Sequence, residues 1–268
     1  MKACAFEYER PRDVESALRL LSTENSKILA GGQSLGPMLN LRVVQPALLV
    51  DLRGIEELKS VKDEKDSVTL GACVTHAQIE DGGVPDPTRG FMREVAANLA
   101  YRAVRNRGTI GGSLAHADPA ADWPSALSVL GATVLIAGTG GRREIPIEKF
   151  LTGLFETALK AGDILVAIRV PKLSARARVG YWKFCRKAGE FAQAIGAALD
   201  DPERGVARAV IGATRGAPHI LADAKALFAK PEKQALLHAV DGAGLAADAY
   251  NRQLHAVALR RAIEKLAA

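Results

Sequence analysis

The sequence predicts an α+β protein built from two domains. Its 268 residues are 48% apolar and 25% charged, so the chain can bury a core in each domain. In the first part, short strand-like runs alternate with amphipathic helices, whereas in the second part strand-like runs succeed one another directly before a helical C-terminal stretch. This change from mixed strands and helices to successive strands falls at 171–177. We therefore expect a first domain over 1–172 and a second domain over 173–268.

The first domain is expected to begin with a small unit of strands and helices. Asp13 precedes a helix whose apolar positions recur at helical spacing, and an aspartate is a favourable N-cap. The expected elements are strands at 5–8, 27–30 and 48–51, the helix after Asp13, and a helical turn over 35–41.

The sequence pattern in the middle of the chain predicts a helix between two hairpins. Extended runs at 58–61 and 67–72 flank a polar turn, as in a β-hairpin, and a helix is expected over 91–100. Residues 123–141 carry no charge over nearly the length of a membrane span, but four glycines divide them. This division favours a buried helix at 125–130, followed by a strand pair at 132–137 and 143–147.

The second domain is expected to be an antiparallel sheet covered by helices. In the second half of the chain, a strand at 164–170, before the domain boundary, is followed with short connections by strands at 180–185, 193–199 and 207–212. Three helical stretches then end the chain, and the last has one apolar face, formed by Ala256, Leu259, Ile263 and Leu266.

Charge and cysteine content exclude several function classes. The formal net charge is +6, but the longest basic run is two residues and the 13 aromatic residues are scattered, which argues against a nucleic-acid module. The three cysteines lack the CxxC spacing of iron–sulfur and zinc sites. The first residues contain no apolar run of signal-peptide length, so we expect a cytoplasmic protein.

Two glycine-rich turns are the strongest candidates for a binding site. The first glycine turn is AGGQSL at 30–35, and the second glycine turn is TIGGSL at 109–114. Paired glycines allow positive φ and leave backbone amides uncovered, so N–H groups can converge on an anion such as a pyrophosphate. Either pair alone could be a tight turn without a ligand. Two similar turns within one domain favour a site.

A run of acidic residues follows the second glycine turn. His116, Asp118 and Asp122 stand at spacings of two and four, but Pro119 argues against one helix presenting all three to a metal. Two readings stay open from the residues: an aspartate accepts hydrogen bonds from loop amides or a ligand hydroxyl, or Asp118 caps a helix that begins near Pro119.

Four segments, in this order and spacing, resemble one family over essentially the whole chain. They are AGGQSLGPMLNLR (30–42), RNRGTIGGSLAHADPAADWP (105–124), GDILVAIRVP (162–171) and YWKFCRKAGEFA (181–192). Together they are similar to the FAD-binding medium subunit of the molybdenum hydroxylases, the group of carbon monoxide dehydrogenase and the xanthine dehydrogenase flavin domain. Gln33 stands where carbon monoxide dehydrogenases have His, and Ser113 where many relatives have Asn.

The resemblance implies a fold of the p-cresol methylhydroxylase type, with FAD between two α+β lobes at about 1–55 and 56–172, and an antiparallel sheet with helices at 173–268. By family analogy, the glycine turns hold the pyrophosphate, Asp118 and Asp122 supply polar contacts, and Leu165 and Lys183 lie near the flavin, with Lys187 as an alternative to Lys183. The implied FAD-binding residues are Leu29, Ala30, Gly31, Gly32, Gln33, Ser34, Leu35, Thr109, Ile110, Gly111, Gly112, Ser113, Asp118, Asp122, Leu165 and Lys183.

The implied function is electron transfer within a multi-subunit enzyme. A large subunit with molybdopterin would oxidise the substrate, a small subunit with two-iron two-sulfur clusters would carry the electrons, and FAD on this chain would pass them to a terminal acceptor. The resemblance implies a dimer of such heterotrimers and requires no catalytic side chain here. Two alternatives are a self-contained FAD-dependent oxidoreductase of the same fold and an assembly subunit that no longer binds FAD.

Overall fold

A three-stranded parallel sheet forms the first lobe. The computed structural model describes residues 2–267. In this lobe, β1 and β2 both pair with the central strand β3. The carboxylate of Asp13 accepts the Ser16 N–H at 2.7 Å and so caps the first helix, as predicted. The elements are β1 (Glu7–Glu9), α1 (Val14–Leu21), β2 (Ser26–Leu29), α2 (Leu35–Asn40) and β3 (Leu48–Asp51), followed by 3-10 turns at Leu52–Gly54 and Glu56–Lys59.

A five-stranded antiparallel sheet with helices forms the second lobe. Its strand order is β4-β5-β10-β6-β7, so β10 closes the sheet by inserting between the two predicted hairpins. The strands are β4 (Val61–Asp63), β5 (Ser67–Gly71), β6 (Thr133–Gly138), β7 (Gly141–Pro146), the small pair β8 (Leu151–Gly153) and β9 (Glu156–Thr157), and β10 (Ile164–Pro171). The helices are α3 (His76–Glu80), α4 (Phe91–Ala97), α5 (Arg102–Arg105), α6 (Ile110–His116), α7 (Asp122–Leu130) and α8 (Ile147–Phe150).

A four-stranded antiparallel meander covered by helices forms the C-terminal part. The strands lie side by side in chain order, and α11 packs on β11 and β12. The apolar face predicted for the last helix is buried, since Ala256, Leu259, Ile263 and Leu266 are all core residues. The elements are β11 (Arg178–Phe184), β12 (Ala194–Asp201), β13 (Val206–Gly212), β14 (His219–Leu221), α9 (Lys225–Ala229), α10 (Lys233–Gly242), α11 (Ala249–Glu264) and a 3-10 turn at Lys265–Ala267.

Helix α7 joins the second lobe to the C-terminal sheet. Every residue of this helix is buried, and it packs against α4, β12 and β13. One continuous apolar core therefore runs from Trp123 and Leu127 on the helix to Ile195 and Val210 on the C-terminal sheet. The described residues contain no helix long and apolar enough to cross a membrane, in agreement with the interpretation of 123–141 as a buried helix and a strand pair.

Some sequence predictions about local structure are wrong. Of the two readings left open for Asp118, the structure supports the hydrogen bond from a loop amide and not the helix cap: its carboxylate accepts the Ala120 N–H at 2.9 Å within a turn, and the helix begins only at Asp122, after the N-cap Ala121. The helix predicted at 125–130 therefore starts three residues earlier. Strand β14 has only three residues and no alternating pattern, so the sequence gives no signal for it.

Candidate functional site

The first glycine turn connects the end of β2 to α2 and presents free backbone donors. Gly32 has φ +72°, a left-handed conformation that favours glycine. The amides of Gln33, Ser34 and Leu35 find no acceptor within residues 2–267, because the first hydrogen bond of the turn runs from Gly36 N–H to Gly32 O at 2.9 Å. Three adjacent N–H groups are thus available to an anion.

The second glycine turn uses its amides internally. Ile110 and Gly111 donate at 3.0 Å to carbonyls of the 72–74 segment, and Gly112 donates at 3.1 Å to the hydroxyl of the N-cap Thr109. The expectation that both turns offer runs of free amides therefore holds only for the first. Here glycine is required for close packing: a methyl group on Gly111 would lie 2.5 to 2.8 Å from Ala72 atoms.

The first glycine turn contacts the second glycine turn and the two residues that precede it. A methyl group on Gly31 would overlap the Arg107 carbonyl oxygen and lie 2.7 Å from the Cα of Gly108. A methyl group on Gly112 would lie 3.3 Å from the Cβ of Ala30. Residues 76 to 82 positions apart in the chain thus meet beside the free amides of the first glycine turn.

The surface where they meet fits the pyrophosphate of a dinucleotide. Phosphate oxygens accept hydrogen bonds from unpaired amides at the start of a helix, and glycines let the backbone approach them closely. Ser34 precedes α2, and its side chain makes no capping hydrogen bond. Arg102 and Arg105, on the short helix before the second glycine turn, form ion pairs with Glu80 at 2.9 and 2.7 Å.

Asp122 lies in a buried polar cluster with two residues of β11. The Tyr181 hydroxyl donates to its carboxylate at 2.7 Å, and Lys183 Nζ lies 3.0 Å from it while also donating to the Asn98 carbonyl at 2.7 Å. Burial raises the pKa of Asp122 above its ordinary value, and the Lys183 ammonium and the Tyr181 hydroxyl oppose that shift. The pKa of the fully buried Tyr181 is raised well above its usual value by burial and by the neighbouring carboxylate. Asp122 thus holds the Lys183 ammonium in place.

Leu165 lies beside the second glycine turn, but its side chain belongs to the core. It is 5% exposed, and β10 has a bulge between Leu165 and Ala167. The carbonyl of Val166 in that bulge accepts the Ala72 N–H at 2.9 Å, and Ala72 in turn accepts the N–H of Gly111. β-Bulges commonly occur next to binding sites.

The residues predicted from the sequence thus fall into two neighbouring groups. The first consists of the segments 29–35 and 109–113, which meet through their glycines. The second consists of Asp122 and Lys183, and Asp118 lies in the turn that leads to it. His116 stacks at 5.2 Å on Phe155, and the described part of the chain has no group of three metal-ligating side chains.

Sequence reasoning missed three hydrogen-bonding residues, Trp123, His76 and Tyr181, that support the two groups of predicted site residues. Trp123 donates its indole N–H to Nδ1 of His76 at 3.0 Å, next to the second glycine turn. Tyr181 holds Asp122. Of the three, only Tyr181 had a sequence signal, because alternation along a strand puts it on the same face as Lys183.

Comparisons with known proteins show which family this chain resembles. Residues 4–173 match the family described as the FAD binding domain in molybdopterin dehydrogenase. The chain is 38% identical over 194 residues to the 6-hydroxypseudooxynicotine dehydrogenase complex subunit alpha of Paenarthrobacter nicotinovorans, a match covering 72% of this chain and 66% of the relative. It is 36% identical to the carbon monoxide dehydrogenase medium chain of Hydrogenophaga pseudoflava, covering 70% of this chain and 67% of the relative.

Solved structures extend the similarity to the C-terminal part. The carbon monoxide dehydrogenase of Hydrogenophaga pseudoflava contains a chain that superposes with a TM-score of 0.89 at 31% identity, covering 99% of this chain and 98% of that one. Quinoline 2-oxidoreductase from Pseudomonas putida 86 gives a TM-score of 0.85 at 31% identity, with coverage of 100% and 98%. The predicted α+β fold is confirmed, and the chain belongs to the family of FAD-binding domains of molybdopterin dehydrogenases, as an FAD-binding medium subunit of the molybdenum hydroxylase type.

Proposed function

We propose that this chain binds one FAD non-covalently and carries electrons from the iron–sulfur clusters of a partner subunit to a terminal acceptor. The observation that carries the proposal is the close contact that Gly31 and Gly112 allow between the first glycine turn and the 107–112 segment, beside three free amides. Bound flavin supplies one- and two-electron redox chemistry, while the protein supplies position and electrostatics.

Different residues of this chain bind different parts of the cofactor. The amides of Gln33, Ser34 and Leu35 donate to phosphate oxygens, and the second glycine turn contacts the first. Lys183, held by Asp122 and the Asn98 carbonyl, keeps a positive charge at the start of α7. Asp118 and Leu165 complete the proposed set at the edges of these groups.

Non-covalent binding is supported by the state of a nearby thiol. Cys73 lies between β5 and α3, one residue after Ala72, which contacts the second glycine turn. Its side chain is buried, and burial raises its pKa to about 11, so it carries almost no thiolate at neutral pH.

The proposed complex contains a small subunit with two-iron two-sulfur clusters and a large subunit with molybdopterin, assembled as a dimer of heterotrimers in the cytoplasm. Support comes from the relatives, which are named as medium subunits or as subunits of dehydrogenase complexes.

The proposed domains are an FAD-binding unit over 1–172, with lobes at about 1–55 and 56–172, and a C-terminal unit over 173–268.

The cofactor proposal is tested with a matched pair of glycine variants. Gly31→Ala presses a methyl group into the backbone of Arg107 and Gly108, just before the second glycine turn, whereas a methyl group on Gly36, five residues later, has no such neighbour within 4 Å among residues 2–267. Acid precipitation of the wild type and of Gly36→Ala should release soluble yellow flavin, and Gly31→Ala should release little. Equal flavin content in both folded variants, or a wild type that takes up no FAD, would refute the proposal.

The partnership is tested by expression with and without the adjoining genes. Alone, the flavin-loaded chain should be reduced by dithionite but should oxidise no hydroxylase substrate. Co-expression with a molybdenum subunit and an iron–sulfur subunit encoded beside it should yield a complex whose flavin is bleached by substrate. Turnover of substrate by the isolated chain would favour the self-contained oxidoreductase instead.

A further inference from the structure

Gly108 lies between the first glycine turn and a buried histidine ring. On one side, a methyl group placed on Gly31 would come within 2.7 Å of the Gly108 Cα. On the other side, a methyl group placed on Gly108 would lie 2.8 Å from both Cδ2 and Nε2 of His76. The imidazole ring therefore fills the space that a side chain at position 108 would need.

The ring is held in a fixed orientation. His76 is 7% exposed, and its Nδ1 accepts the indole N–H of the fully buried Trp123 at 3.0 Å. Because an indole nitrogen can only donate, Nδ1 carries no proton and the neutral ring has its proton on Nε2. Four residues thus form a continuous column: Trp123, His76, Gly108 and Gly31.

Backbone contacts join the same segments independently of the ring. The His76 N–H donates to the Gly108 carbonyl at 3.0 Å, and an antiparallel bridge links Thr75 to Thr109. These contacts remain when the His76 side chain is changed. The contribution of the imidazole can therefore be measured separately from the attachment of the segment.

We propose that His76, oriented by Trp123, is a positioning residue that sets the separation between the first glycine turn and Gly108, the residue that leads into the second glycine turn, and thereby the shape of the FAD pyrophosphate site. The inference rests on the proposed function, since it names the residue that fixes the geometry of that site. The ring contacts Gly108 on the side away from Gly31, and so it fixes how closely Gly108 approaches the first glycine turn. A smaller side chain at position 76 lets Gly108 recede from the first glycine turn, and a larger one at position 108 pushes the turns together.

The test is a double-mutant cycle read out by FAD affinity. His76→Ala should weaken FAD binding to the apoprotein about tenfold, which is the scale set by loss of one buried hydrogen-bonded contact. Gly108→Ala should weaken binding at least as much, because its methyl group meets the imidazole. Combined with His76→Ala, the Gly108→Ala change should cost clearly less than it does alone, since the ring that it meets is gone.

Two further variants separate positioning from general stability. His76→Asn keeps a side-chain acceptor for the indole and should bind FAD more tightly than His76→Ala. Trp123→Phe keeps the imidazole but removes the donor that orients it, and should alter the visible circular dichroism of bound FAD. If His76→Ala does not fold, this variant tests the proposal in its place. The control is His238→Ala, on the exposed face of α10.

The outcomes distinguish the inference from the proposed function. A wild-type chain that takes up no FAD would overturn both. A wild type that binds FAD, with His76→Ala and Trp123→Phe unchanged in FAD affinity and in flavin dichroism, would overturn the inference alone. Additive losses in the cycle would also overturn it, because they would mean that His76 and Gly108 act independently.

Discussion

Acidification should destabilise this protein through His76. Burial lowers the pKa of the imidazole from 6.5 to about 4, and the Arg105 guanidinium acts in the same direction. The folded pKa lies below the unfolded one, so the neutral ring is the form that the fold accommodates. The stability that depends on it is complete above pH 6.5 and is lost as the pH falls from 6.5 to about 4.

The size of this loss at pH 5 follows from the two pKa values. The unfolded chain is then ~97% protonated at this histidine and the folded protein ~10%, which corresponds to about 2 kcal/mol of unfolding free energy, against ~0.2 kcal/mol at pH 7. Protonation of Nδ1 also breaks the hydrogen bond from Trp123, because a protonated nitrogen no longer accepts.

Urea unfolding of the apoprotein at pH 7 and pH 5 measures the effect. The wild type should lose about 2 kcal/mol more than His76→Asn between the two pH values, because the variant lacks the titrating ring. Other groups, such as the half-buried His219, titrate in both proteins and cancel in the comparison. His238→Gln, at an exposed position, should behave as the wild type. Equal losses in wild type and His76→Asn would refute the assignment of this pH dependence to His76.

Three further predictions concern the buried cluster and the first glycine turn. Lys183→Met leaves the Asp122 carboxylate buried without its cation and should lower the unfolding free energy by about 3 kcal/mol or more, while adding Asp122→Asn should recover part of that loss in urea unfolding. Tyr181→Phe removes one hydrogen bond to that carboxylate and should cost about 1 to 3 kcal/mol by the same measurement. Gly32→Ala forces a residue with a side chain into a backbone φ of +72° and should lower the unfolding free energy by ~1 kcal/mol in thermal or urea unfolding. An unchanged unfolding midpoint would show that alanine is not strained at this position.

Local features of the fold could be predicted from the sequence because short-range physics determines them. The Asp13 cap and the strand at Leu48–Asp51 lie where the pattern puts them, and the polar turn at 63–66 does separate two antiparallel strands. For Asp118 the sequence left two roles open, and in the structure its carboxylate accepts the turn amide of Ala120 and caps no helix, a choice between two local partners that composition does not decide.

The candidate site was only partly predictable because it depends on long-range contacts. The motifs located both glycine turns, but no local pattern shows that Gly31 meets Gly108 or that the ring of His76 lies behind it. Strand alternation could have paired Tyr181 with Lys183, whereas the link from Trp123 to His76 joins residues 47 positions apart and leaves no trace in either segment.

The two similar glycine pairs serve different physical purposes. In the first glycine turn, Gly32 supplies a left-handed residue that frees three amides, so substitutions there act on hydrogen bonding to an anion. In the second, Gly111 has its amide bonded to Ala72, and the lack of a side chain serves only to allow close packing. A change at Gly32 should therefore lower FAD affinity in addition to the ~1 kcal/mol that the left-handed backbone costs the apoprotein. A change at Gly111 should first destabilise the apoprotein, because Ala72 anchors the turn to the central sheet.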